Sequence, residues 1–303
     1  MDFSLAKEII DWAGQSNIFS YLSLTSLGEP LLHPRLIDII KEAKKTRMKV
    51  FLATNGSLLT KERVHSLIEA DLDFLVLGIN ASNEQEYNLK RCSGTFDAYI
   101  SKIMEVTKEF IAPGHTRLIL SYISTGDWDG PESLRMLSAE EERKRLFDFW
   151  NNYFNKNIGP GSENTSKQSF KDQMVELEGD EGYHVIGNIY LRIKPMEFDL
   201  STPFVKRAST LQGVKEGQCS NIESDFTILS NGDATFCCQK DFDGSLALGN
   251  VKNETVESIY SGTKAMNLRK LNARGYLGAE YCQKCVACSR MASSMMHSHG
   301  STQ

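Results

Sequence analysis

Apolar positions in the first half of the chain switch back and forth between two periods. Phe3 to Gly14 carries Leu5, Ile9, Ile10 and Trp12 along one side, the spacing of an amphipathic helix. Tyr21 to Thr25 is a short apolar run that predicts a strand ending at Gly28-Glu29-Pro30. Leu36 to Lys45 returns to helical steps through Leu36, Ile39, Ile40 and Ala43, and Val50 to Ala53 reads as a strand stopped by Thr54-Asn55-Gly56. Thr60 then caps a helix to about Ala70. Phe74 to Ile79 is a strand, Phe96 to Ile111 a helix, Arg117 to Ile123 a strand, and Ala139 to Phe154 a helix. Strands separated by helices of about ten or more residues pair in parallel through right-handed crossovers. The class is therefore α/β, as a barrel or as an open sheet.

The pattern lapses between Asn155 and Gly182, where Gly159-Pro160-Gly161-Ser162 and the polar run after it predict a loop or insertion over about 155–182. Tyr183 to Ile193 regains strand character. Near Pro203 the chain leaves the sheet, and a cysteine-rich segment begins by about Gln218. The expected organisation is a core over 1–205, a small domain over 206–290, and a flexible tail over 291–303.

Composition narrows the partners more than the fold. An apolar fraction of 41%, a charged fraction of 24% and a formal net charge of -5 are ordinary for a globular protein. They give no reason to expect a nucleic-acid or anionic membrane partner. No segment approaches the ~20 apolar residues of a membrane-spanning helix. The first residues, Met-Asp-Phe-Ser-Leu-Ala-Lys-Glu, lack an apolar signal core. The expectation is a cytoplasmic protein with neither nucleic acid nor membrane as partner.

The seven cysteines change the picture. Cys92 stands alone, while Cys219, Cys237, Cys238, Cys282, Cys285 and Cys288 crowd the last third. In a reducing compartment such clustering points to metal rather than disulfides. Two thiolates two residues apart can share one centre, and two distant pairs closing together make a four-thiolate site. Cys219, Cys237, Cys282 and Cys285 are the expected ligands. Asn231-Gly232-Asp233 predicts a hairpin turn that brings Phe226–Leu229 alongside Thr235–Cys238. Adjacent Cys237 and Cys238 cannot both face one centre, and the distance from Gly232 selects Cys237. Cys288 is a spare ligand, a ligand of a second cluster, or a bystander. Spacing alone leaves an iron–sulfur cluster, a structural zinc ribbon and plain buried cysteines all open.

With these residues in view, the chain resembles the radical S-adenosylmethionine (SAM) superfamily with a SPASM or twitch auxiliary domain. Cys219, Gly232-x4-Cys237, Leu248-Gly249-Asn250-Val251 and Cys282-x-x-Cys285 resemble the auxiliary domain. Leu27-Gly28-Glu29-Pro30-Leu31-Leu32-His33-Pro34 resembles the glycine-glutamate-proline element after the family's second strand. Thr54-Asn55-Gly56 resembles the end of its third strand, and Arg91-Cys92-Ser93-Gly94-Thr95-Phe96 the segment after its fourth. The resemblance implies a partial (β/α)6 TIM-like barrel of the radical SAM type with a small cysteine-rich C-terminal domain. It also implies SAM and an auxiliary 4Fe-4S cluster as cofactors.

By this resemblance Gly28, Glu29, Pro30, Asn55, Ser82 and Ser121 (or Ser124) are the SAM contacts. Gly28 would let backbone approach the methionine part, and Glu29 would accept from its ammonium group. The implied activity is oxidoreductase-type: a 5′-deoxyadenosyl radical modifies a peptide, protein or small-molecule substrate, with a flavodoxin or ferredoxin as reductant. The alternative is a non-catalytic, cluster- or zinc-bearing binding protein derived from that fold. One departure stands out: the family's Cys-x-x-x-Cys-x-x-Cys loop is missing, and no cysteine precedes Cys92. The expectation is an N-terminally truncated chain, with a degenerate homologue as the alternative; as it stands it lacks the SAM-cluster cysteines, and a second 4Fe-4S cluster is expected only if that loop exists upstream. The Arg91 guanidinium is a candidate for the SAM carboxylate or a surface group, Cys92 a barrel-side residue. The loop Thr125-Gly126-Asp127-Trp128-Asp129-Gly130 is a substrate contact or a solvated loop.

Overall fold

A computed structural model describes residues 1–25, 28–79, 81–90, 94–111, 114–124, 139–158, 174–177, 180–195, 218–237 and 246–276. The chain divides into two compact units, Ala13–Met196 and a second made of Met1–Trp12 with Glu197–Gln303.

Ala13–Met196 is built on a seven-stranded sheet in the order β1-β2-β3-β4-β7-β6-β5. The strands are β1 (Tyr21–Leu24), β2 (Lys49–Thr54), β3 (Phe74–Ile79), β4 (Arg117–Ser124), β5 (Met174–Leu177), β6 (Asp180–Ile186) and β7 (Ile189–Pro195). The helices are the end of α1 (Phe3–Ser16), then α2 (Leu36–Ala43), α3 (Lys61–Glu69), α4 (Glu84–Lys90), α5 (Phe96–Lys108) and α6 (Ala139–Ile158). β1, β2, β3, β4 and β7 are parallel neighbours. Their spatial order follows chain order, as in an opened β/α barrel; a doubly wound sheet would reverse direction at a switch point.

Register shows why the two sheet faces differ. Leu52, Leu75, Leu118 and Ile189 stand opposite one another across four strands, and each is fully buried. The alternate positions are Phe51, Phe74 and Arg117, then Ala53, Val76, Ile119 and Tyr190, then Gly78, Ser121 and Arg192. This second face is mixed. Phe51 stacks on Phe74 at 4.2 Å between ring centroids, and the Arg117 guanidinium lies 5.7 Å from the Phe74 ring centre. One face is thus aliphatic through most of its length and ends toward the strand tips in Thr54 and Tyr122, while the other is mixed throughout.

Three differences from the expected elements have physical causes. The expected strand Tyr183–Ile193 is two antiparallel strands, β6 and β7, joined at Gly187-Asn188. Gly187 has φ +55°, and a Cβ there would lie 2.5 Å from the Ile111 carbonyl oxygen. Only glycine fits that turn, so an alternating pattern is folded back on itself. Part of the expected insertion, Met174–Leu177, is the edge strand β5. The short helix α4 was not expected; Asn83 starts it by accepting the Glu86 N–H at 2.9 Å.

At the opposite end of β3 from the strand tips that carry the candidate site, Asp73 is buried. Its carboxylate accepts from Lys44 Nζ at 2.6 Å and the Val50 N–H at 2.8 Å, and pairs with the His115 ring at 2.9 Å. Burial pushes the carboxyl up, but Lys44, the Val50 amide and His115 together outweigh it and hold Asp73 below the usual carboxylate range. A depressed folded-state pKa contributes stability that is present above the unfolded value of about 3.9 and is lost as pH falls through the folded value. Chemical denaturation from pH 7 to pH 2 therefore loses this contribution only in the acid limb. Asp73→Asn will be less stable than wild type at neutral pH, and the gap will narrow below about pH 4. A constant gap would contradict this account.

The second unit has its own core. The α1 residues Leu5, Ile9 and Trp12 pack with Ala234, Val251, Val256, Ile259, Phe226, Ile228 and Leu248. Its elements are α7 (Ser220–Ser224), β8 (Thr227–Ile228), β9 (Asp233–Thr235), β10 (Gly249–Asn250), α8 (Val256–Tyr260) and α9 (Thr263–Ala273). β9 pairs antiparallel with β8 and β10, and Gly232, at φ +97°, makes the hairpin turn expected at Asn231-Gly232-Asp233. Among the described residues, no helix is long and apolar enough to cross a membrane.

Candidate cofactor and metal sites

The loops after β1 and β2 meet through one side chain. Gly28 has φ +102° with nothing within 4 Å of where a Cβ would stand, so its conformation, not crowding, calls for glycine. Glu29 follows in extended backbone and caps the single 3-10 turn Pro30–Leu32. Its Oε1 accepts from the Leu31 N–H at 3.1 Å and the Thr54 hydroxyl at 2.7 Å, and Oε2 accepts from the Asn55 N–H at 2.9 Å. The sequence thus brings Gly28, Glu29, Pro30 and Asn55 together at the C-terminal ends of two parallel strands. Catalytic groups gather at these ends in β/α folds. Each carboxylate oxygen has two acceptor directions, so Oε2 takes one donor here and has room for a second. Arg63 braces the same two loops, donating to Leu58 O at 3.0 Å and Leu31 O at 3.5 Å. The Asn55 side-chain oxygen accepts from the Ser57 N–H at 2.8 Å, an Asx turn.

Ser82 stands past the end of the next strand, in a different arrangement. It is 4% exposed. Its hydroxyl donates to Glu86 Oε2 at 3.2 Å and accepts from Arg145 Nη1 at 2.6 Å. Glu86 is itself buried; its carboxylate also accepts from the Ser82 N–H at 2.9 Å, the Tyr122 hydroxyl at 3.4 Å and Arg145 Nη2. Ser82 is therefore a member of a buried charge network before it is a ligand contact. Sequence reading missed Glu86, Tyr122 and Arg145, although Asn83-x-x-Glu86 is a capping-box signature that marks Glu86. Ser121 lies within β4 on the mixed sheet face, where its Oγ accepts from Arg192 Nη2 at 3.4 Å. Arg91, Cys92 and the loop 125–130 lie outside the described residues.

In the other unit, Cys219 and Cys237 are half-buried, and neither forms a disulfide with a described residue. Cys219 occupies the N-cap position of α7 with φ -118° and ψ 116°. It packs against the buried cluster of Ile222, Phe236 and Ala265. Cys237 follows Phe236, a member of that cluster, in the chain. The Cys237 N–H is held by the buried Thr235 hydroxyl at 3.2 Å. Around Phe236, the Arg269 guanidinium lies 4.7 Å from its ring centre and 4.0 Å from that of Tyr260. Cys238, Cys282, Cys285 and Cys288 lie outside the described residues. Cys219 and Cys237, with Cys282-x-x-Cys285 following in sequence, are a donor set that suits a four-thiolate centre.

Comparison with known proteins gives these sites a context. The Radical SAM superfamily model matches residues 2–143, and the model of the SPASM iron–sulfur cluster-binding domain matches residues 219–289. The tungsten-containing aldehyde ferredoxin oxidoreductase cofactor-modifying protein of Pyrococcus furiosus is 32% identical over 80 residues, 26% of this chain and 22% of that protein. The AdoMet-dependent heme synthase of Methanosarcina barkeri is 32% identical over 104 residues, 34% of this chain and 29% of that protein. The matched stretches therefore span less than a third of these relatives. A crystal structure of BtrN in complex with AdoMet and 2-DOIA superimposes with a TM-score of 0.49 at 14% identity, covering 94% of this chain and 80% of that one.

Proposed function

Because the chain joins a radical SAM domain to a SPASM iron–sulfur domain, we propose that it is a SAM-dependent radical enzyme that modifies a peptide, protein or small molecule. The observation that carries this reading is the Glu29 bridge. A carboxylate fixed by Thr54, Leu31 and Asn55 at the tips of β1 and β2 offers its remaining acceptor direction to a cationic ammonium group. Gly28 leaves backbone open beside it.

When bound, an auxiliary iron–sulfur cluster would supply or accept an electron. Cys219, Cys237, Cys282 and Cys285 would hold it, with Cys288 as a further ligand. The cluster that reduces SAM in this family needs a three-cysteine loop, and the sequence holds no cysteine before Cys92. What the chain's own residues do is position SAM. Glu29 orients its amino group, Gly28 and Pro30 shape the loop against its methionine part, and Asn55 closes the neighbouring side. Ser82 and Ser121 are the candidates for its ribose or carboxylate. A reductant of the flavodoxin or ferredoxin kind and a reducing, cytoplasmic setting go with this chemistry.

Equilibrium binding of SAM to the full chain tests the reading. A hydrogen bond to a charged group is worth about 1.5–3 kcal/mol, so Glu29→Ala will weaken SAM binding by roughly tenfold or more. Arg47→Ala, at a surface away from the strand tips, will leave it unchanged. Equal affinity for the Glu29 variant and wild type would remove Glu29 from the site.

A further inference from the structure

Asn272 on α9 is 0% exposed, and two of its three hydrogen bonds go to a single residue. Its Oδ1 accepts the Cys219 N–H at 2.7 Å, and its Nδ2 donates to the Cys219 carbonyl at 3.2 Å. The third runs from Nδ2 to Glu223 Oε1 at 3.0 Å. The side-chain amide thus stands in for a neighbouring strand, taking one backbone N–H and satisfying one backbone C=O of the same residue. A carboxamide accepts at its oxygen and donates at its nitrogen, two separate atoms that here meet the N–H and the C=O of one residue. A buried polar group this fully satisfied holds its partner rigidly, because breaking either bond strands a desolvated group.

We propose that Asn272 is the positioning residue for Cys219 as a cluster ligand, and that it fixes the thiol direction before the cluster arrives. The proposal rests on the reading of Cys219 as a ligand. The Cys219 carbonyl also accepts from the Ile222 N–H at 3.2 Å, and the Asn272 clamp adds the bond to its N–H, so that both sides of the residue are held and with them its Cα–Cβ direction. The clamp also spans 53 residues of chain. α9 ends at Ala273, nine residues before Cys282 in the sequence, so the same amide ties the first ligand to the segment that leads into the Cys282-x-x-Cys285 pair.

A second consequence is electronic. The Cys219 N–H is taken by Asn272 and the Cys237 N–H by Thr235. Neither amide then remains to donate to cluster sulfur, a contact that raises the reduction potential by stabilising the more negative reduced state.

The test reconstitutes the full chain anaerobically with ferrous iron and sulfide, then follows iron loss to a chelator and the midpoint potential. Losing the partner that orients a ligand costs about 10–100-fold in metal affinity. Asn272→Leu, which keeps the volume without the bonds, is expected to lose iron faster by a factor in that range, and its remaining cluster to have a raised potential. Glu223→Ala, which removes only the bond that does not touch Cys219, is expected to behave as wild type. Should Asn272→Leu fail to fold, Asn272→Ser supplies a smaller neutral side chain that is too short to reach the Cys219 N–H and C=O together, and it is expected to lose iron faster than wild type as well. Wild-type retention and potential in the folded Asn272 variants, with iron lost from Cys219→Ala, would overturn the positioning role and leave the ligand reading standing. Full iron retention by Cys219→Ala would instead overturn the ligand reading, and the Asn272 proposal with it.

Discussion

Replacing Cys219 or Cys237 by alanine is expected to abolish stable iron incorporation, whereas Cys238→Ala will retain it. On the proposed reading four thiolates share one centre, so removing one leaves an incomplete donor set rather than a weaker version of the same site. Cys219 packs against the core patch of Ile222, Phe236 and Ala265, which couples cluster binding to the folding of this unit. Loss of the cluster should therefore lower the thermal midpoint of the unit and increase its proteolysis. Iron per chain after anaerobic reconstitution is the readout. Cys238→Ala losing its iron while Cys237→Ala keeps it would show that the hairpin presents the other neighbour.

The second large effect concerns the buried network behind Ser82. Arg145→Met removes the only described cation on Glu86 and leaves a carboxylate that is 7% exposed without its counter-charge. Breaking a buried ion pair from one side costs about 3–5 kcal/mol. Arg145 is itself 30% exposed, so the lower end, about 3 kcal/mol, is expected. In a domain of 150–250 residues that shifts the midpoint by roughly 6–12 °C. Adding Glu86→Gln to Arg145→Met should recover much of the loss, because the stranded charge is gone. Two single variants whose effects simply add would mean that the pair is not coupled. The same break removes the Arg145 donor from the Ser82 hydroxyl and leaves it only its bond to Glu86, so on the proposed reading of Ser82 as a SAM contact, SAM binding should weaken in parallel.

Much of this was legible because it is local. The α/β alternation, the capping threonine at Thr60 and the turn at Asn231-Gly232-Asp233 each depend on a few neighbouring residues, and the structure places all of them as expected. What sequence could not supply was partnership over distance. The stripe Leu5, Ile9 and Trp12 announced an amphipathic helix but not that it packs with Val251 and Ile259. Alternation from Tyr183 to Ile193 read as one strand, because a glycine turn inside a period-2 pattern preserves the pattern while reversing the chain. Glu29 was read from its motif; its bonds to Thr54 and Asn55 needed the register of β1 against β2. Asn272, a polar residue on an unremarkable helix, carries no signal until its amide is seen on the Cys219 backbone.

The claim on which the rest depends is that the C-terminal cysteines hold an iron–sulfur cluster. Iron, sulfide and zinc content of the anaerobically purified chain, taken with its visible absorption, tests it most directly. About four irons and four sulfides per chain in a brown solution is the predicted result. Stoichiometric zinc, no sulfide and a colourless solution would contradict it and make the cysteine domain a structural ribbon.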